Sequence, residues 1–238
     1  MKLIIDIGNT AVKVAIFKDK KLQNTTILNE CTLQNILTFV KNKNISGTII
    51  SSVKDINTDI KKLIHHFDAL FLDFTTLLPI IIDYKTPNTL GNDRIAAVVG
   101  ASVLFPKQDV LVFDAGTCLT IDFITKEKIY KGGRISPGIA MRYKALHQFA
   151  EQLPLCSSSS ESVLIGHDTE SSIISGVQQG ILSEVRGIIN VYKKENKETI
   201  ITVTGGDYFF FERELKNSIF ANPNLVLIGL NEILDYNE

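Results

Sequence analysis

Two segments of the chain, residues 1–22 and 109–129, repeat one pattern, and this repeat restricts the folds that the chain can adopt. Each segment has an apolar strand, then Asp-x-Gly, a threonine, an alternating strand and a charged turn. Three residues of the first copy have a counterpart in the second: Asp6 and Asp114, Gly8 and Gly116, Thr10 and Thr117. An internal repeat of this kind predicts two lobes built on the same plan.

Hydrophobic periodicity extends the pattern in both halves. A third strand is expected at KLQNTTIL and at KIYKGGRISPG, and helices alternate with strands after each meander. The later runs TIITVTGG and NLVLIG are predicted to be buried strands, and the serine-rich residues 157–162 a surface loop. The fold class is therefore α/β, with duplicated mixed-sheet domains whose hairpin turns face a central cleft. We place the lobes at residues 1–107 and 108–238.

Composition excludes several classes of protein. The formal net charge of -1 argues against a nucleic-acid binder, which usually carries a clear basic excess. No apolar stretch is long enough for a membrane span or for a signal peptide, so no membrane partner is expected. The three cysteines include no C-x-x-C pair, so reduced thiols in a cytoplasmic protein are the simplest interpretation.

The first hairpin carries residues that suit phosphate chemistry. Asp6 ends a buried strand, where a carboxylate is costly unless it is paired or holds a metal such as Mg²⁺, directly or through water. Gly8 permits a tight turn, and the backbone N–H groups of such a turn can point together at an anion. Lys13 on the next strand adds a positive charge. The alternative is an ordinary β-hairpin, but the second copy at Asp114 favours a nucleotide clamp.

Two other segments carry candidate residues. Gly205 and Gly206 link an apolar strand to a helix start, which suits adenosine and phosphate binding or an ordinary turn. In LGNDRIAAVVGA, Asp93 begins a helix, where a carboxylate stays ionised and could accept the proton of a substrate hydroxyl. Arg94 could bind a substrate carboxylate through a two-pronged contact. The alternative is that Asn92 or Asp93 caps the helix and Arg94 is a surface charge.

Six motifs in this order resemble type III pantothenate kinase, a family of the superfamily that includes acetate and sugar kinases, heat-shock chaperone ATPases and actin. They are DIGNT at 6–10, GNDR at 91–94, DAGTCLTID at 114–122, GGRISPG at 132–138, TESSIISG at 169–176 and TGG at 204–206. The resemblance covers nearly the whole chain. It implies a two-lobed actin-like ATPase fold, related to ribonuclease H. It also implies ATP-dependent phosphorylation of pantothenate to 4'-phosphopantothenate, the first step of coenzyme A biosynthesis.

The resemblance also implies roles for individual residues. Asp93 would be the general base, Asp6 would lie near Mg²⁺, and Asp114 would hold a monovalent cation, K⁺ or NH₄⁺. ATP and its phosphates would be bound by Asp6, Ile7, Gly8, Asn9, Thr10, Ala11, Val12, Lys13 and Thr117. Pantothenate would be bound by Tyr84, Gly91, Asn92, Asp93, Arg94 and Thr169. Thr169 would reach the substrate from the other subunit of a homodimer with shared active sites.

One departure and two alternatives accompany the resemblance. The family usually has alanine after the second threonine, and this chain has Cys118 there, a small change that leaves the Asp114 assignment in place. The same family includes Bvg accessory factors, so a transcriptional regulator that keeps the fold is one alternative. A kinase for another small hydroxyl substrate is the other.

Overall fold

The computed structural model describes residues 1–160 and 163–238. The strands are β1 Lys2–Ile7, β2 Val12–Lys18, β3 Lys21–Leu28, β4 Gly47–Ser52, β5 Leu70–Phe71, β6 Ile81–Ile82, β7 Val110–Ala115, β8 Cys118–Ile124, β9 Ile129–Pro137, β10 Ile200–Thr204 and β11 Phe220–Ala221. The α-helices are α1 Leu33–Val40, α2 Thr58–Phe67, α3 Asn92–Leu104, α4 Ile139–Phe149, α5 Thr169–Glu195, α6 Tyr208–Leu215 and α7 Leu225–Asn237. Short 3₁₀ helices lie at Pro87–Thr89 and Lys216–Ser218.

The first sheet has the strand order β3-β2-β1-β4-β5. Strand β1 is antiparallel to β2 and parallel to β4, so the sheet is mixed, as the repeat predicts. Leu3, Ile5 and Ile7 of β1 lie in one buried cluster with Ile36 of α1 and Ile60 of α2. Because α7 packs against β1 as well, the strand is a nearly continuous run of buried residues rather than an alternating one.

The second sheet has the order β11-β10-β7-β8-β9-β6. Its strands β7, β8 and β9 are the three predicted from the second copy of the repeat, and β6 pairs in parallel with β9. Both sheets thus start from the same meander of three strands. The predicted α/β class with duplicated mixed sheets is confirmed.

The described residues form two compact units. Unit 1 comprises Met1–Val110, Asp122–Gly132 and Asn224–Glu238, and unit 2 comprises Leu111–Ile121 and Gly133–Pro223. The first continuous segment of unit 1 ends close to the lobe boundary predicted at 107. The segments at 122–132 and 224–238, which the sequence places in the second lobe, belong to unit 1. The division into lobes at 1–107 and 108–238 stays a prediction.

Helices α3 and α7 approach each other closely within unit 1. A Cβ atom built on Gly229 would lie 1.8 Å from the Ala96 carbonyl oxygen, and one on Gly100 would lie 2.2 Å from that of Leu225. Only glycine therefore permits this separation of the two backbones. The contact fixes α3, the helix whose first turn carries Asp93.

The segment NLVLIG is a helix, and its prediction as a strand is wrong. It forms the start of α7, in which Leu227, Leu230 and Ile233 are buried. A short apolar run does not distinguish a buried strand from a helix that is covered on most sides, and packing against α3 and β1 decides in favour of the helix. Of the serine-rich segment, residues 157–160 contain neither helix nor strand, and 161–162 lie outside the described residues.

Candidate active site

The first predicted phosphate loop is a tight hairpin between β1 and β2 in unit 1. The Gly8 N–H donates to the Ala11 carbonyl over 3.0 Å, which leaves Asn9 and Thr10 as an exposed loop of two residues. Asp6 is half-buried at the end of β1 and is paired in register with Lys13 of β2. Residues 6–13, predicted to bind phosphate, thus lie together in one hairpin. The hairpin carries a carboxylate and an ammonium group on adjacent strands.

The second copy of the turn, in unit 2, is enclosed by two other motifs. A Cβ atom on Gly205, whose φ is +93°, would lie 2.5 Å from Asp114 Oδ1 and 2.3 Å from the Ala115 carbonyl oxygen. A Cβ atom on Gly138 would lie 2.1 Å from the Gly116 carbonyl oxygen. The segments TGG and GGRISPG therefore both reach the DAGT turn, at distances that only glycine allows.

Hydrogen bonds hold this turn in place. The Asp207 N–H donates to the Ala115 carbonyl over 2.8 Å, and the Gly138 N–H donates to the Thr117 carbonyl over 3.1 Å. Asp207 is half-buried, and burial raises the pKa of its carboxyl group. The turn thus contains the Asp114 carboxylate and two backbone carbonyls, of Ala115 and Thr117, that each accept one of these hydrogen bonds.

The segment GNDR begins α3, but neither Asn92 nor Asp93 is the N-cap residue of the helix. Gly91 is the N-cap residue and makes no side-chain cap bond. The Asn92 amide donates to the Leu72 carbonyl over 2.8 Å, and Asp93 Oδ1 accepts the Arg94 N–H over 2.8 Å. A Cβ atom on Gly91 would lie 2.5 Å from Asp93 Oδ1, so glycine leaves room for this carboxylate. The interpretation of Asn92 or Asp93 as an ordinary cap is wrong.

Arg94 is not a surface charge, because it forms a buried ion pair. Its side chain is 7% exposed and that of Asp122 is 1% exposed. Nε donates to both Asp122 oxygens over 3.0 and 3.1 Å, and Nη2 donates to Oδ1 over 2.6 Å. The Tyr130 hydroxyl donates to the same Oδ1 over 2.7 Å. The two-pronged contact predicted for Arg94 is therefore made with a carboxylate of the protein itself.

Tyr84 lies beside this network. Its ring centroid is 5.9 Å from that of Tyr130, and a Cβ atom on Gly132 would lie 3.4 Å from its ring. Burial acts to lower the pKa of the Arg94 guanidinium, but the hydrogen bond and charge of Asp122 outweigh it and the pKa is raised; a hydrogen bond with Tyr84 adds to this. Burial, followed by the Asp122 charge, raises the pKa of the Tyr130 phenol well above its ordinary value.

Sequence reasoning missed Asp122 and Tyr130. Asp122 stands at a buried position of β8, and a carboxylate inside an apolar strand signals a partner, because a lone buried charge is very costly. The sequence does not say which cation is that partner. Arg94 is distant in the chain and is identified only by the fold.

Thr169 is the exposed first residue of α5 in unit 2. The helix is capped by Asp168, whose Oδ1 accepts the Ser171 N–H over 2.7 Å, and this bond lowers the pKa of the Asp168 carboxyl group. Just before the helix, three apolar side chains are exposed to solvent, namely Val163, Leu164 and Ile165. The predicted partner-facing threonine thus lies next to an exposed apolar segment.

No metal-binding site made of several protein side chains is found in the part of the chain that the structure describes. Groups of three or more His, Cys, Asp or Glu side chains placed to hold a metal ion are absent there. The same described residues contain no helix that is both long and apolar enough to span a membrane.

The family model of type III pantothenate kinase matches residues 2–191. The chain belongs to this family. A type III pantothenate kinase from Cytophaga hutchinsonii is 45% identical over 237 residues, covering 100% of both chains. One from Bacteroides fragilis is 43% identical over 239 residues, covering 100% of this chain and 98% of the relative. The resemblance drawn from the six motifs is confirmed, and membership of a kinase family implies the use of ATP.

Solved structures share the fold. A Campylobacter jejuni protein described as a Baf family transcriptional activator has a TM-score of 0.64 at 25% identity, covering 99% of this chain and 98% of its own. An activator of 2-hydroxyisocaproyl-CoA dehydratase from Clostridium difficile, with bound ADPNP, has a TM-score of 0.56 at 12% identity, covering 99% and 93%. A glucokinase from an Antarctic psychrotroph has a TM-score of 0.56 at 11% identity, covering 100% and 99%. The two-domain actin-like ATPase fold is confirmed.

Proposed function

We propose that this chain transfers the γ-phosphoryl group of ATP to the primary hydroxyl of pantothenate, giving 4'-phosphopantothenate at the start of coenzyme A biosynthesis. The observation that carries the proposal is the match to type III pantothenate kinases over the full length of the chain. The placement of the motifs supports it, because DIGNT, DAGTCLTID and TGG each include the turn that follows a strand, and GNDR and TESSIISG begin the helices α3 and α5. Such positions suit phosphoryl transfer, which needs positioning and charge stabilisation more than covalent chemistry.

Asp93 is the proposed general base. It lies in the first turn of α3, at the end of the helix where backbone N–H groups have no partner within the helix. One of its oxygens is held by the Arg94 N–H, which orients the carboxylate. The group then accepts the hydroxyl proton as the substrate oxygen attacks the γ-phosphorus, and the bond from phosphorus to the ADP oxygen breaks.

The Asp6 hairpin is the proposed phosphate-binding loop, formed by residues 6–13. Backbone N–H groups of the loop and the Lys13 ammonium group bind phosphate oxygens. Mg²⁺ typically takes one or two carboxylates and completes its shell with phosphate oxygens and water, so a single half-buried Asp6 fits this ion. When bound, Mg²⁺ neutralises part of the phosphate charge.

The Asp114 turn is the proposed site of a monovalent cation, K⁺ or NH₄⁺, and Thr117 beside it is a proposed ATP contact. The fit rests on the oxygen atoms that this turn gathers, the Asp114 carboxylate and the neighbouring backbone carbonyls. Oxygen ligands suit a hard cation, and a positive charge here lowers the repulsion that the nucleotide phosphates meet.

Removing K⁺ and NH₄⁺ is expected to raise the KM for ATP by about tenfold, because the carboxylate would then face the phosphates without compensation. Initial rates measured in potassium and in sodium buffers of equal ionic strength give the comparison. The KM for pantothenate should change less than the KM for ATP. If the KM for ATP in sodium alone equalled that in potassium, Asp114 would not hold a K⁺ or NH₄⁺ ion that matters for ATP binding.

Pantothenate is the proposed ligand of Tyr84, Gly91, Asn92, Asp93 and Arg94, together with Thr169 of the partner subunit in a homodimer. The exposed apolar run Val163, Leu164 and Ile165 supports a subunit interface beside Thr169, because apolar side chains exposed together commonly mark an interaction surface. A cytoplasmic location accords with three cysteines that form no disulfide.

A transcriptional regulator is the second candidate, favoured by the likeness to the Baf family protein. Asp6, Asp93 and Asp114 are all present, however, and a binding module has no need of a base. The near-neutral charge also gives little attraction to DNA phosphates. A kinase for a different hydroxyl compound is the third candidate. The GNDR segment and Tyr84 argue against it, because the resemblance assigns both to pantothenate binding.

One assay separates the three candidates. The purified protein is incubated with ATP, Mg²⁺ and K⁺ and, separately, with pantothenate, glucose, N-acetylmannosamine and acetate, and products are identified by mass spectrometry. Our proposal expects a phosphorylated product from pantothenate alone. A product from another acceptor would support a kinase for a different hydroxyl compound. If no acceptor gave a product, the transcriptional regulator would be the remaining candidate.

A further inference from the structure

The ion pair between Arg94 and Asp122 is buried, and a buried ion pair generally brings little net stability. Taking both charges out of water costs several kcal/mol per ion in general, and an apolar pair of similar volume would stabilise a core at least as well. Asp122 is also held by a third group, the Tyr130 hydroxyl, on a residue that is fully buried. A buried arrangement of charges that brings little net stability calls for another reason.

That reason lies in how the guanidinium is held. Arginine has N–H donors on Nε, Nη1 and Nη2 in one rigid plane. Asp122 accepts from Nε and Nη2, so it fixes both the plane and the edge that faces into the protein. Nη1 takes no part in the bonds to Asp122. The Tyr84 ring packs beside that of Tyr130, whose hydroxyl holds Asp122.

We propose that Asp122 and Tyr130 are positioning residues that orient Arg94 for the carboxylate of pantothenate. The inference rests on the proposed function, in which Arg94 and Tyr84 are substrate ligands. Tyr130 fixes the Asp122 carboxylate, and Asp122 fixes the guanidinium, so that the N–H groups outside this pair keep one direction. Neither residue touches the reacting atoms. A guanidinium held in this way selects acceptors that carry an anionic group at a set distance from the hydroxyl.

The consequence for kinetics is selective. Tyr130→Phe keeps the ring and removes one hydrogen bond to Asp122, so we expect the KM for pantothenate to rise roughly fivefold to tenfold. The kcat value and the KM for ATP should stay within about twofold, because Asp93 and the phosphate loops keep their contacts. Tyr143→Phe is the matched control, since it removes another buried tyrosine hydroxyl, which hydrogen-bonds to Gln178 in unit 2.

The test is a substrate comparison combined with a binding measurement. Steady-state constants of wild type, Tyr130→Phe and Tyr143→Phe are measured with pantothenate, and calorimetric titration of pantothenate gives its Kd for each. The same constants, or inhibition constants where turnover is too slow, are measured with pantothenol, in which an alcohol replaces the carboxylate. We expect Tyr130→Phe to weaken the binding of pantothenate but to leave the affinity for pantothenol within about twofold of the wild-type value.

The outcomes separate this inference from the function on which it rests. A wild-type protein that neither binds nor phosphorylates pantothenate would refute the proposed function. If the wild type is active, two results would refute the positioning role alone. Tyr130→Phe could bind pantothenate as tightly as the wild type does, or it could lose the same factor of affinity for pantothenate and for pantothenol. Asp122→Asn should give a larger rise in the KM for pantothenate, about fiftyfold or more. Since this variant can fail to fold, the decision rests on Tyr130→Phe.

Discussion

Asp93→Asn is expected to lower kcat for pantothenate phosphorylation by about a hundredfold or more, while the affinity for ATP stays nearly unchanged. The amide is close to the carboxylate in size, and its oxygen can still accept the Arg94 N–H that now bonds to Asp93 Oδ1. The start of α3 should therefore keep its geometry. Only the ability to accept a proton is lost, so the defect falls on the chemical step.

The comparison that isolates this effect is Asp68→Asn. Asp68 is an exposed residue at the end of α2 with φ of 46°, a conformation that asparagine adopts readily, and it undergoes the same change of charge. Its kcat and its affinity for ATP should match those of the wild type. If Asp93→Asn turned over at the normal rate, Asp93 would not be the base and the proton would have to leave by another route.

Gly205→Ala is expected to lower the free energy of unfolding by about 3 kcal/mol and to raise the KM for ATP tenfold or more. A side chain at φ of +93° is strained whatever the space around it. The new Cβ atom would also lie within 2.5 Å of both Asp114 Oδ1 and the Ala115 carbonyl oxygen. The turn that is proposed to hold the cation must then shift, which costs further energy of the order seen in overpacked cores.

Gly206→Ala is the matched control for stability. A Cβ atom on Gly206 has no neighbour within 4 Å, and the residue carries no positive φ. Its unfolding free energy should stay within about 0.5 kcal/mol of the wild type. Chemical denaturation of both variants gives the comparison, with and without ATP. Equal stabilities for the two alanine variants would contradict the close packing of the TGG segment on the Asp114 turn.

The sequence predicts the secondary structure correctly where neighbouring residues alone determine it. The repeat predicts both three-stranded meanders because alternating apolar residues and Asp-x-Gly turns are properties of neighbouring residues. The helix that begins at Asn92 follows from the same local signals. The prediction of a strand at NLVLIG is wrong because the helix there depends on two glycine contacts between α3 and α7, which no local pattern contains.

The candidate site was only partly predictable for the same reason. Asp6, Asp93 and Asp114 lie at element ends, where their type and position are informative. The sequence allows Arg94 to be either a surface charge or a substrate ligand, because the residue that holds it stands on β8, far away in the chain. Periodicity predicts that Asp122 faces inward, whereas its pairing with Arg94 and Tyr130 depends on how strands and helix pack together.

Proton-coupled phosphorus NMR of the product formed from ATP and pantothenate tests the central claim most directly. Attack by the primary hydroxyl predicts a new phosphomonoester signal that is split into a triplet by the adjacent methylene protons. The signal should appear at the same rate as ADP and should be nearly absent with Asp93→Asn. A doublet from a secondary carbinol, an uncoupled acyl phosphate, or inorganic phosphate alone would contradict the account.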